Sequence, residues 1–554
     1  MRNGRFVAPA LTLALAAALA LAGCGSDTTG TSGSAGSDAV GGGGTGVGGP
    51  TWHRDVRPML GRTCFGCHRS GGIGGFDLDD VETARAMGKT MIAAIDAGRM
   101  PPWGAQETAE CTPPAPWQHD LRLDPAERDL LADWVDAGGP EGDAASAPAG
   151  GSKDADKLAK VDRSLKPVKA YVTSGNKDQF VCFVLDPKFT EDAWVRGIHF
   201  RAGDARVAHH ALLFVDESGS AAAKAGADGH YPCFGGPGVN GKLIAAWAPG
   251  GIPAELPPNA GLPVKKGARL VMQMHYHPLG EEIADQTTVE LELHEGRPAW
   301  TAVSMLIGNF PGPIGGGGDG LQPGPGDDGK VKFQIPAGAT DHVESMIWTV
   351  PKFNGVAIGG LRVYGIASHM HYVGKDMRIW LERGQIQGLC DDKTRAALGG
   401  CADSKCAGKM GEDLVSCAIA QCGAHVTAAS QACQQCLVAA SGAGATEMWS
   451  LCAPQTETKD ATDACLLHTP QWDFNWQRYY FYDAEPDALP AVRTGDRLHM
   501  RCVYDNSKGN PGVARALAEQ GKDAPVAVSL GEETLDEMCL AAMVLLYPTP
   551  PAAP

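Results

Sequence analysis

The chain has 554 residues and a formal net charge of -17. Because one hydrophobic core rarely extends beyond about 250–300 residues, this length predicts roughly three or four domains. The acidic balance argues against nucleic acid and anionic lipid surfaces as partners, and solubility of an exported protein is its favoured explanation.

The first 24 residues predict a targeting segment. A short basic region precedes an apolar run over 6–21, which is too short to span a membrane and ends in the letters LAGC. This ending resembles a bacterial lipobox, which implies that Cys24 is lipidated and anchors the chain on the periplasmic side of the cell envelope. Gly25 favours the outer membrane, and an ordinary signal peptide is the alternative. Residues 25–50, rich in Gly, Ser and Thr, predict a flexible linker.

A haem-attachment motif begins the next region, 51–143. Cys64 and Cys67 can each form a thioether to a haem vinyl group, and His68 follows at once as an iron ligand. A CxxC redox pair and half of a zinc site are the alternatives, although no second CxxC lies nearby. Met100 is the candidate for the sixth iron ligand, and a buried core methionine is the other interpretation of it.

The pattern over 124–135 predicts a helix, with Asp124 as its cap, Pro125 in the first turn and one apolar face. The early CxxCH, the later methionine and this closing helix resemble a class I cytochrome c. Residues 144–164 are rich in small and charged residues and predict a linker.

The remaining region predicts antiparallel β structure. Short β-type runs alternate with Gly and Pro turns, and helical periodicity is scarce, which favours β-sandwiches. The predicted strands are 180–185, 197–200, 211–215, 269–275, 288–293 and 360–366.

Three histidine pairs in this region are candidate metal ligands. They are His209 with His210, His275 with His277, and His369 with His371. In the second pair and in the third pair, one residue separates the two histidines, so on a strand both members of a pair would project from one face. His209 and His210 are adjacent, so they could share one ion only at a bulge or a strand end. Histidines on a polar strand face are the alternative, and imidazole alone does not separate copper from zinc.

Five motifs occur in a fixed order along this region. They are VAHHALLF at 207–214, AWAPG at 246–250, MQMHY at 272–276, SHMH at 368–371 and DEMC at 536–539. This order resembles the copper type II, ascorbate-dependent monooxygenases, the group of dopamine β-monooxygenase and peptidylglycine α-hydroxylating monooxygenase. The resemblance covers most of residues 175–550.

The resemblance implies two jelly-roll-like antiparallel β-sandwiches, at 165–297 and 298–550, which face each other across a solvent cleft with one copper on each. An electron-storing copper would be held by His209, His210 and His275. An oxygen-binding copper would be held by His369, His371 and Met538. The soft thioether of Met538 favours Cu(I) over zinc. His277 has no counterpart in the family, and it remains a candidate replacement for His275.

The resemblance also implies two disulfides, Cys182 with Cys233 and Cys502 with Cys539. The second would hold the neighbouring Met538 in place. In the peptidylglycine enzyme, polar residues hold the substrate carboxylate at positions that correspond here to Ala367, Leu540 and Ala542. The sequence therefore does not support a peptide-glycine substrate and favours a less polar small molecule.

A cysteine-rich insert, 388–470, interrupts the second predicted sandwich. Its nine cysteines are Cys390, Cys401, Cys406, Cys417, Cys422, Cys433, Cys436, Cys452 and Cys465. The recurring spacing C-x10-C-x4-C predicts helical turns joined by disulfides, and a metal–thiolate cluster is the alternative. Lipid and haem would take 3 of the 17 cysteines, which leaves 14, an even number that suits disulfides in an exported protein. Nine is odd, so we expect Cys111 to bridge to the insert.

Together these features predict an exported, lipid-anchored monooxygenase with haem c and two copper ions per chain. It would hydroxylate an aliphatic or benzylic C–H bond of a small molecule with O2. Ascorbate or a periplasmic redox carrier would supply electrons, relayed by the fused haem, and no nucleic acid is expected to bind. A non-enzymatic copper-binding or electron-transfer lipoprotein is the main alternative. A zinc hydrolase is a third, but no HExxH motif is present.

Overall fold

A computed structural model describes the parts of the chain on which the fold and the candidate sites depend. The described residues are 48–70, 72–148, 157–248, 251–309, 320–350, 359–383, 390–409, 411–440, 452, 464–531 and 536–549. Residues Gly49–Pro554 form one compact unit, distinct from Met1–Gly48. Cys24, the lipobox and nearly all of the first predicted linker lie outside the described residues.

Helices occupy only a small part of the described chain. The α-helices are Arg57–Thr63, Val81–Asp96, Pro125–Asp136, Ser220–Ala225, Asp392–Thr394, Gly400–Lys405, Gly411–Ala428, Gln431–Ala440 and Pro511–Glu519. Short π-helical turns are Trp52–Val56 and Arg395–Gly399, and 3-10 turns are Ala144–Ser146, Gly226–Asp228, Phe474–Trp476 and Pro486–Ala488. Among the helices described, none has both the length and the apolar character that crossing a membrane requires.

The helices before residue 140 share a small core of their own. Leu60, Leu131, Trp52 and Trp134 are buried in it, and the two indole rings lie 5.7 Å apart. The helix predicted over 124–135 is found at Pro125–Asp136. The Asp124 side chain accepts a hydrogen bond from the Glu127 amide, and the Glu127 side chain accepts one from the Asp124 amide. This capping box satisfies amide groups that the first turn would leave unpaired, which explains why the sequence located the helix well.

The first predicted sandwich region contains twelve described strands. In chain order they are Arg163–Leu165 (β1), Tyr171–Thr173 (β2), Gln179–Leu185 (β3), Ala193–Arg201 (β4), Ala208–Asp216 (β5), His230–Pro232 (β6), Lys242–Trp247 (β7), Ala254–Glu255 (β8), Ala260–Val264 (β9), Arg269–Tyr276 (β10), Ile283–Asp285 (β11) and Thr288–Leu293 (β12). Each of the five strands predicted in this region is present.

The second predicted sandwich region contains the other twelve strands described. They are Trp300–Gly308 (β13), Gly320–Leu321 (β14), Gln334–Ile335 (β15), His342–Thr349 (β16), Gly359–His369 (β17), Gly374–Glu382 (β18), Ala464–Thr469 (β19), Tyr480–Phe481 (β20), Ala491–Arg493 (β21), Arg497–Tyr504 (β22), Val528–Ser529 (β23) and Leu540–Pro548 (β24). The predicted strand 360–366 lies within β17.

One long sheet of ten strands runs through both regions, in the order β1-β12-β4-β9-β13-β24-β17-β20 with β8 and β21 attached. Two sheets of five strands accompany it: β6-β3-β10-β5-β7 from the first region and β14-β16-β22-β18-β19 from the second. The long sheet passes from one region to the other where β13 pairs in parallel with β9, while nearly all its other pairs are antiparallel.

Burial along β24 shows why this strand lies inside the long sheet. Its residues are Leu, Ala, Ala, Met, Val, Leu and Leu before the tyrosine, and all seven are buried, without the alternation of a half-exposed strand. A continuous apolar run of this kind suits a strand that is covered on both faces. A single hydrophobic core contains side chains from all three sheets. The fold is therefore mostly β-sheet with few helices, as expected, and its sheets fit β-sandwiches.

Seven disulfides are present: Cys111–Cys465, Cys182–Cys233, Cys390–Cys433, Cys401–Cys422, Cys406–Cys417, Cys436–Cys452 and Cys502–Cys539. They use 14 cysteines, which is the number expected to remain if Cys24 carries lipid and Cys64 and Cys67 carry haem. Cys64 and Cys67 are the described cysteines that remain as thiols. The prediction of disulfides is confirmed.

The cysteine-rich insert is a helical segment joined by its own disulfides. Cys401–Cys422 and Cys406–Cys417 are nested between neighbouring helices, and Cys390–Cys433 encloses both. The metal–thiolate alternative is wrong for these cysteines, because their sulfur atoms are already bonded to each other. The predicted insert, 388–470, also extends too far, since its last residues form β19 of a five-stranded sheet.

The segment between helices Val81–Asp96 and Pro125–Asp136 runs along the second five-stranded sheet and the end of the long sheet. Cys111 is bonded to Cys465 on β19, as the odd cysteine count suggested. Nearby, the Gln106 amide donates to the His468 carbonyl, and the Trp117 ring stacks on Tyr482 at 4.6 Å. These contacts fix the helical region that carries Cys64 against the β-sheets.

We expect a non-reducing peptide digest to yield a fragment in which Cys111 and Cys465 are joined. Replacing both residues with serine should lower the free energy of unfolding by about 2–5 kcal/mol, because the disulfide restricts the unfolded chain over 354 residues. The matched control is the double serine variant of Cys406 and Cys417. Because these residues are only 11 positions apart, loss of their disulfide should lower the free energy of unfolding less. A free thiol at Cys111 in the wild-type protein would contradict the assignment.

Candidate metal centres

A bulge in the β5–β10 ladder brings three histidines together. His275 is paired with His210, but the next residue, Tyr276, is paired with Ala208, so the ladder passes over His209. A bulge of this kind turns an adjacent side chain toward its neighbour instead of the opposite face. Two consecutive histidines can therefore point into one site.

The three imidazoles form the first histidine cluster, His209, His210 and His275. One nitrogen from each lies within 4.8 Å of the others, a spacing that a single metal ion could bridge. The Nδ1 atoms of His209 and His275 are 3.4 Å apart. His210 Nε2 is buried without a hydrogen-bond partner among the described residues. A buried imidazole nitrogen without a hydrogen-bond partner is expected where that nitrogen is a metal ligand, so this cluster fits a metal ion.

The electrostatics of the first cluster also suit metal binding. Burial lowers the pKa of His210 well below its usual value, and the neighbouring His209 and His275 lower it further, as do His369 and His371. A neutral imidazole is the form that binds a metal.

Asp178 connects the first cluster to His277. One carboxylate oxygen lies 3.0 Å from His275 Nε2, and the other lies 2.8 Å from His277 Nδ1. Burial would raise the pKa of Asp178, but the two imidazole hydrogen bonds outweigh it and hold the pKa well below its usual value. Because Asp178 takes Nε2 of His275, Nδ1 is left to face His209. The structure thus places His275 in the cluster and His277 beside it.

The second predicted ligand set lies at one end of β17. His369 is the last residue of that strand, and His371 belongs to the turn after it, so the two are not on one strand face as expected. Their rings are nevertheless 5.2 Å apart and nearly perpendicular. His369 Nδ1 lies 2.5 Å from Gln477 Oε1, and His371 Nδ1 donates to the Asp536 carbonyl at 3.0 Å. In both rings Nδ1 is therefore engaged by the protein, and Nε2 is the nitrogen that could bind a metal.

Glu537 ties the methionine to this turn. Its buried carboxylate accepts from the His371 and Met538 amides through one oxygen and from the Val373 and Gly374 amides through the other. Burial raises the pKa of Glu537, whereas the four amide groups that donate to it lower the pKa and favour the ionised carboxylate. Met538 is itself buried, just before β24, whose Leu540 is paired with His369. The second histidine pair and Met538 are therefore held at one place in the fold.

The ring of Phe474 lies between the two sites. Its centroid is 5.6 Å from His209, 5.5 Å from His210 and 6.0 Å from His371. It also packs on Tyr372 at 4.5 Å. The resemblance implies open solvent between the metals, whereas here one phenyl group occupies the gap.

The haem-motif residues line a single cavity of about 1330 Å³, shared by Cys64, Cys67, His68 and Met100. This exceeds the roughly 300–1,000 Å³ of ordinary small-molecule pockets, so the space fits a haem. The His68 ring packs against Phe76 at 4.3 Å, and burial lowers its pKa, which favours the neutral ligand form. Burial raises the pKa of the Cys64 thiol to about 11.

The opposite wall of this cavity belongs to the β-sheets. His209 and His277 line it, together with Trp247, Trp476 and Arg478. The candidate haem pocket therefore opens directly onto the first histidine cluster.

Four supporting residues were not found by sequence reasoning: Asp178, Phe474, Gln477 and Glu537. Glu537 belongs to the DEMC motif at 536–539, and its position directly before Met538 is the one feature of the sequence that could have indicated its role. Asp178, Phe474 and Gln477 each contact a histidine that is at least 97 residues away in the sequence. Aspartate, phenylalanine and glutamine are also common residue types. No local pattern distinguishes them.

Comparison with known proteins gives no relative on which a family assignment could rest. No protein-family model matches the chain. No curated protein matches it either.

Proposed function

We propose that this protein is a copper-dependent monooxygenase that hydroxylates a C–H bond of a small organic molecule with O2. Electrons would reach it through a c-type haem attached at Cys64 and Cys67, with His68 and Met100 as iron ligands. The chain would be exported to the periplasmic side of the cell envelope and anchored there through lipid on Cys24.

The observation that carries the proposal is the arrangement of two distinct ligand sets around Phe474. Three imidazoles converge on one side of the ring, and a histidine pair linked to a buried methionine lies on the other. A thioether in the second set favours Cu(I), whereas an all-nitrogen set does not discriminate between copper and zinc. Two chemically different sites suit separate tasks better than two copies of one structural site.

Each group of residues would have its own task. Bound copper and haem iron would supply the one-electron chemistry and the activation of O2. Asp178, Gln477 and the Asp536 carbonyl orient the imidazoles by taking the nitrogen that does not face the metal. Phe474 excludes water from the space between the sites, which limits loss of reactive species to solvent.

The strands next to the second set suggest an apolar substrate. Ala367 is paired with Ala542, and Leu540 is paired with His369. These side chains offer no charge that could hold a carboxylate. We therefore infer a small molecule with an aliphatic or benzylic C–H bond, in place of a peptide.

Phe474 is also the observation that favours the second candidate function. A ring between the sites shortens the path for electrons but takes up room that a substrate would need. A non-enzymatic electron-transfer lipoprotein would have the same two metal sets without a substrate space. The two functions differ in whether oxygen is consumed.

The test is a metal inventory of the purified full-length chain, followed by oxygen uptake with ascorbate and a panel of apolar small molecules. We expect two copper ions and one haem iron per chain, and hydroxylated product in proportion to the oxygen consumed. Copper and haem without oxygen uptake on any substrate would favour the electron-transfer protein. Zinc in the histidine sites, or no haem, would refute the proposal.

A further inference from the structure

His277 has no task in the function proposed so far, yet its position is distinctive. Its side chain is 43% exposed and lines the cavity that contains Cys64, Cys67 and His68. It follows Tyr276 at the end of β10, two residues after His275. It therefore lies between the candidate haem pocket and the first histidine cluster.

Asp178 joins His277 to that cluster through two short contacts on one carboxylate. His277 Nδ1 is 2.8 Å from Oδ1, and His275 Nε2 is 3.0 Å from Oδ2. Two imidazoles are thus connected through a single carboxylate. The carboxylate thus makes a hydrogen bond to His277 and a 3.0 Å ion-pair contact with His275, which together form a path from the cavity wall to the first cluster.

The His275 ring is held in place on its other side as well. Phe180 stacks on it with ring centroids 4.4 Å apart and planes at 7°. With Nε2 directed to Asp178, Nδ1 faces His209 Nδ1 at 3.4 Å. A carboxylate behind a ligating histidine fixes its tautomer and raises its basicity.

We propose that His277 and Asp178 form the route by which single electrons pass from the haem pocket to the metal of the first histidine cluster. Asp178 has a second role as a positioning residue that presents Nδ1 of His275. This inference rests on the proposed function, because it requires haem in the cavity and copper in the cluster.

The step transfers one electron and no atoms. One electron leaves ferrous haem iron, which becomes ferric, and it reduces cupric ion in the cluster to cuprous ion. No bond is broken, and no proton moves between Asp178 and the two imidazoles. The competing route is direct, because His209 also lines the cavity and its ring is 6.2 Å from that of His277.

The experiment uses the full chain loaded with haem and copper, both oxidised. A photochemical reductant delivers one electron to the haem in a flash, and the visible haem band then reports its reoxidation by copper. Copper per chain and the copper EPR spectrum are measured on the same samples. The variants are His277→Leu, His277→Gln and Asp178→Asn, with His294→Leu as a control at a histidine that does not line the cavity.

We expect His277→Leu to keep its copper and its haem spectrum but to slow haem reoxidation about tenfold or more, the range typical when a residue behind a metal ligand is lost. Glutamine can still donate to Asp178, so His277→Gln should recover most of the rate. Asp178→Asn should slow reoxidation, weaken copper binding by about 10–100-fold and change the EPR spectrum of the first site. The control should match the wild-type protein.

A wild-type rate in both His277→Leu and Asp178→Asn, with copper still bound, would overturn the proposal in favour of the direct route through His209. If both His277 variants are slow while Asp178→Asn keeps the wild-type rate, the route does not pass through Asp178, and the proposal is overturned as well. Failure of the wild-type chain to bind copper or haem would instead refute the proposed function, and the inventory separates the two results.

Discussion

Replacing Met538 with leucine is expected to abolish turnover while leaving the visible haem spectrum unchanged. Leucine matches the size of methionine but cannot ligate, so the second site would keep only His369 and His371. Loss of the soft thioether removes the ligand that favours Cu(I). The chain should then bind one copper ion tightly, at the first histidine cluster. Oxygen uptake, copper per chain and the haem spectrum check the prediction together.

The matched control is Met543→Leu in β24, the strand that follows Met538. Met543 is 1% exposed and lies five residues further along, within β24. A volume-conserving change of this kind usually costs less than about 1.5 kcal/mol. It should leave both copper ions and turnover in place. Undiminished oxygen uptake in Met538→Leu would contradict the assignment of this residue as a ligand.

Replacing Glu537 with glutamine is expected to have the next largest effect, on stability and on the second site together. Each carboxylate oxygen accepts from two backbone amides, at His371 and Met538 and at Val373 and Gly374. Whichever way the glutamine amide turns, its NH2 group would face two N–H donors. A buried N–H group without an acceptor costs about 1–3 kcal/mol. The turn that carries His371 would therefore separate from Met538.

The readouts for Glu537→Gln are the midpoint of thermal unfolding and the copper content. We expect a lower midpoint and loss of the second copper ion, with the first retained. Glu344→Gln is the control, because Glu344 is also about 1% exposed but contacts His342 and not the ligand turns. It should lower the midpoint without loss of copper. Full copper binding in a folded Glu537→Gln variant would show that the carboxylate does not position the ligands.

Features that depend on neighbouring residues were predicted well from the sequence. The helix at Pro125–Asp136 follows from its own capping residues, and the six predicted strands follow from short apolar and β-branched runs. The adjacent pair of His209 and His210 required a bulge, and the β5–β10 ladder contains one at that point. In each case the information lies within a few residues of the feature.

The odd number of cysteines in the insert predicted one contact between residues far apart in the sequence. Nine cysteines in one segment and one outside it required a bridge, and Cys111 is bonded to Cys465. The sequence could not give the nested pairing inside the insert, because connectivity depends on which helices lie side by side. It also could not show that Cys465 belongs to a sheet strand and not to the helical part of the insert.

The sequence by itself determined which side chains are available as ligands, their order along the chain, the haem-attachment motif and the β-rich character of the fold. The tertiary structure alone decided which imidazole nitrogen faces each site, how Asp178 links His277 to His275, and that Phe474 contacts both ligand sets. The physical reason is that short-range preferences and patterns act over a few residues. The contacts that orient a ligand join strands and turns up to hundreds of residues apart, and they exist only once the sheets have packed.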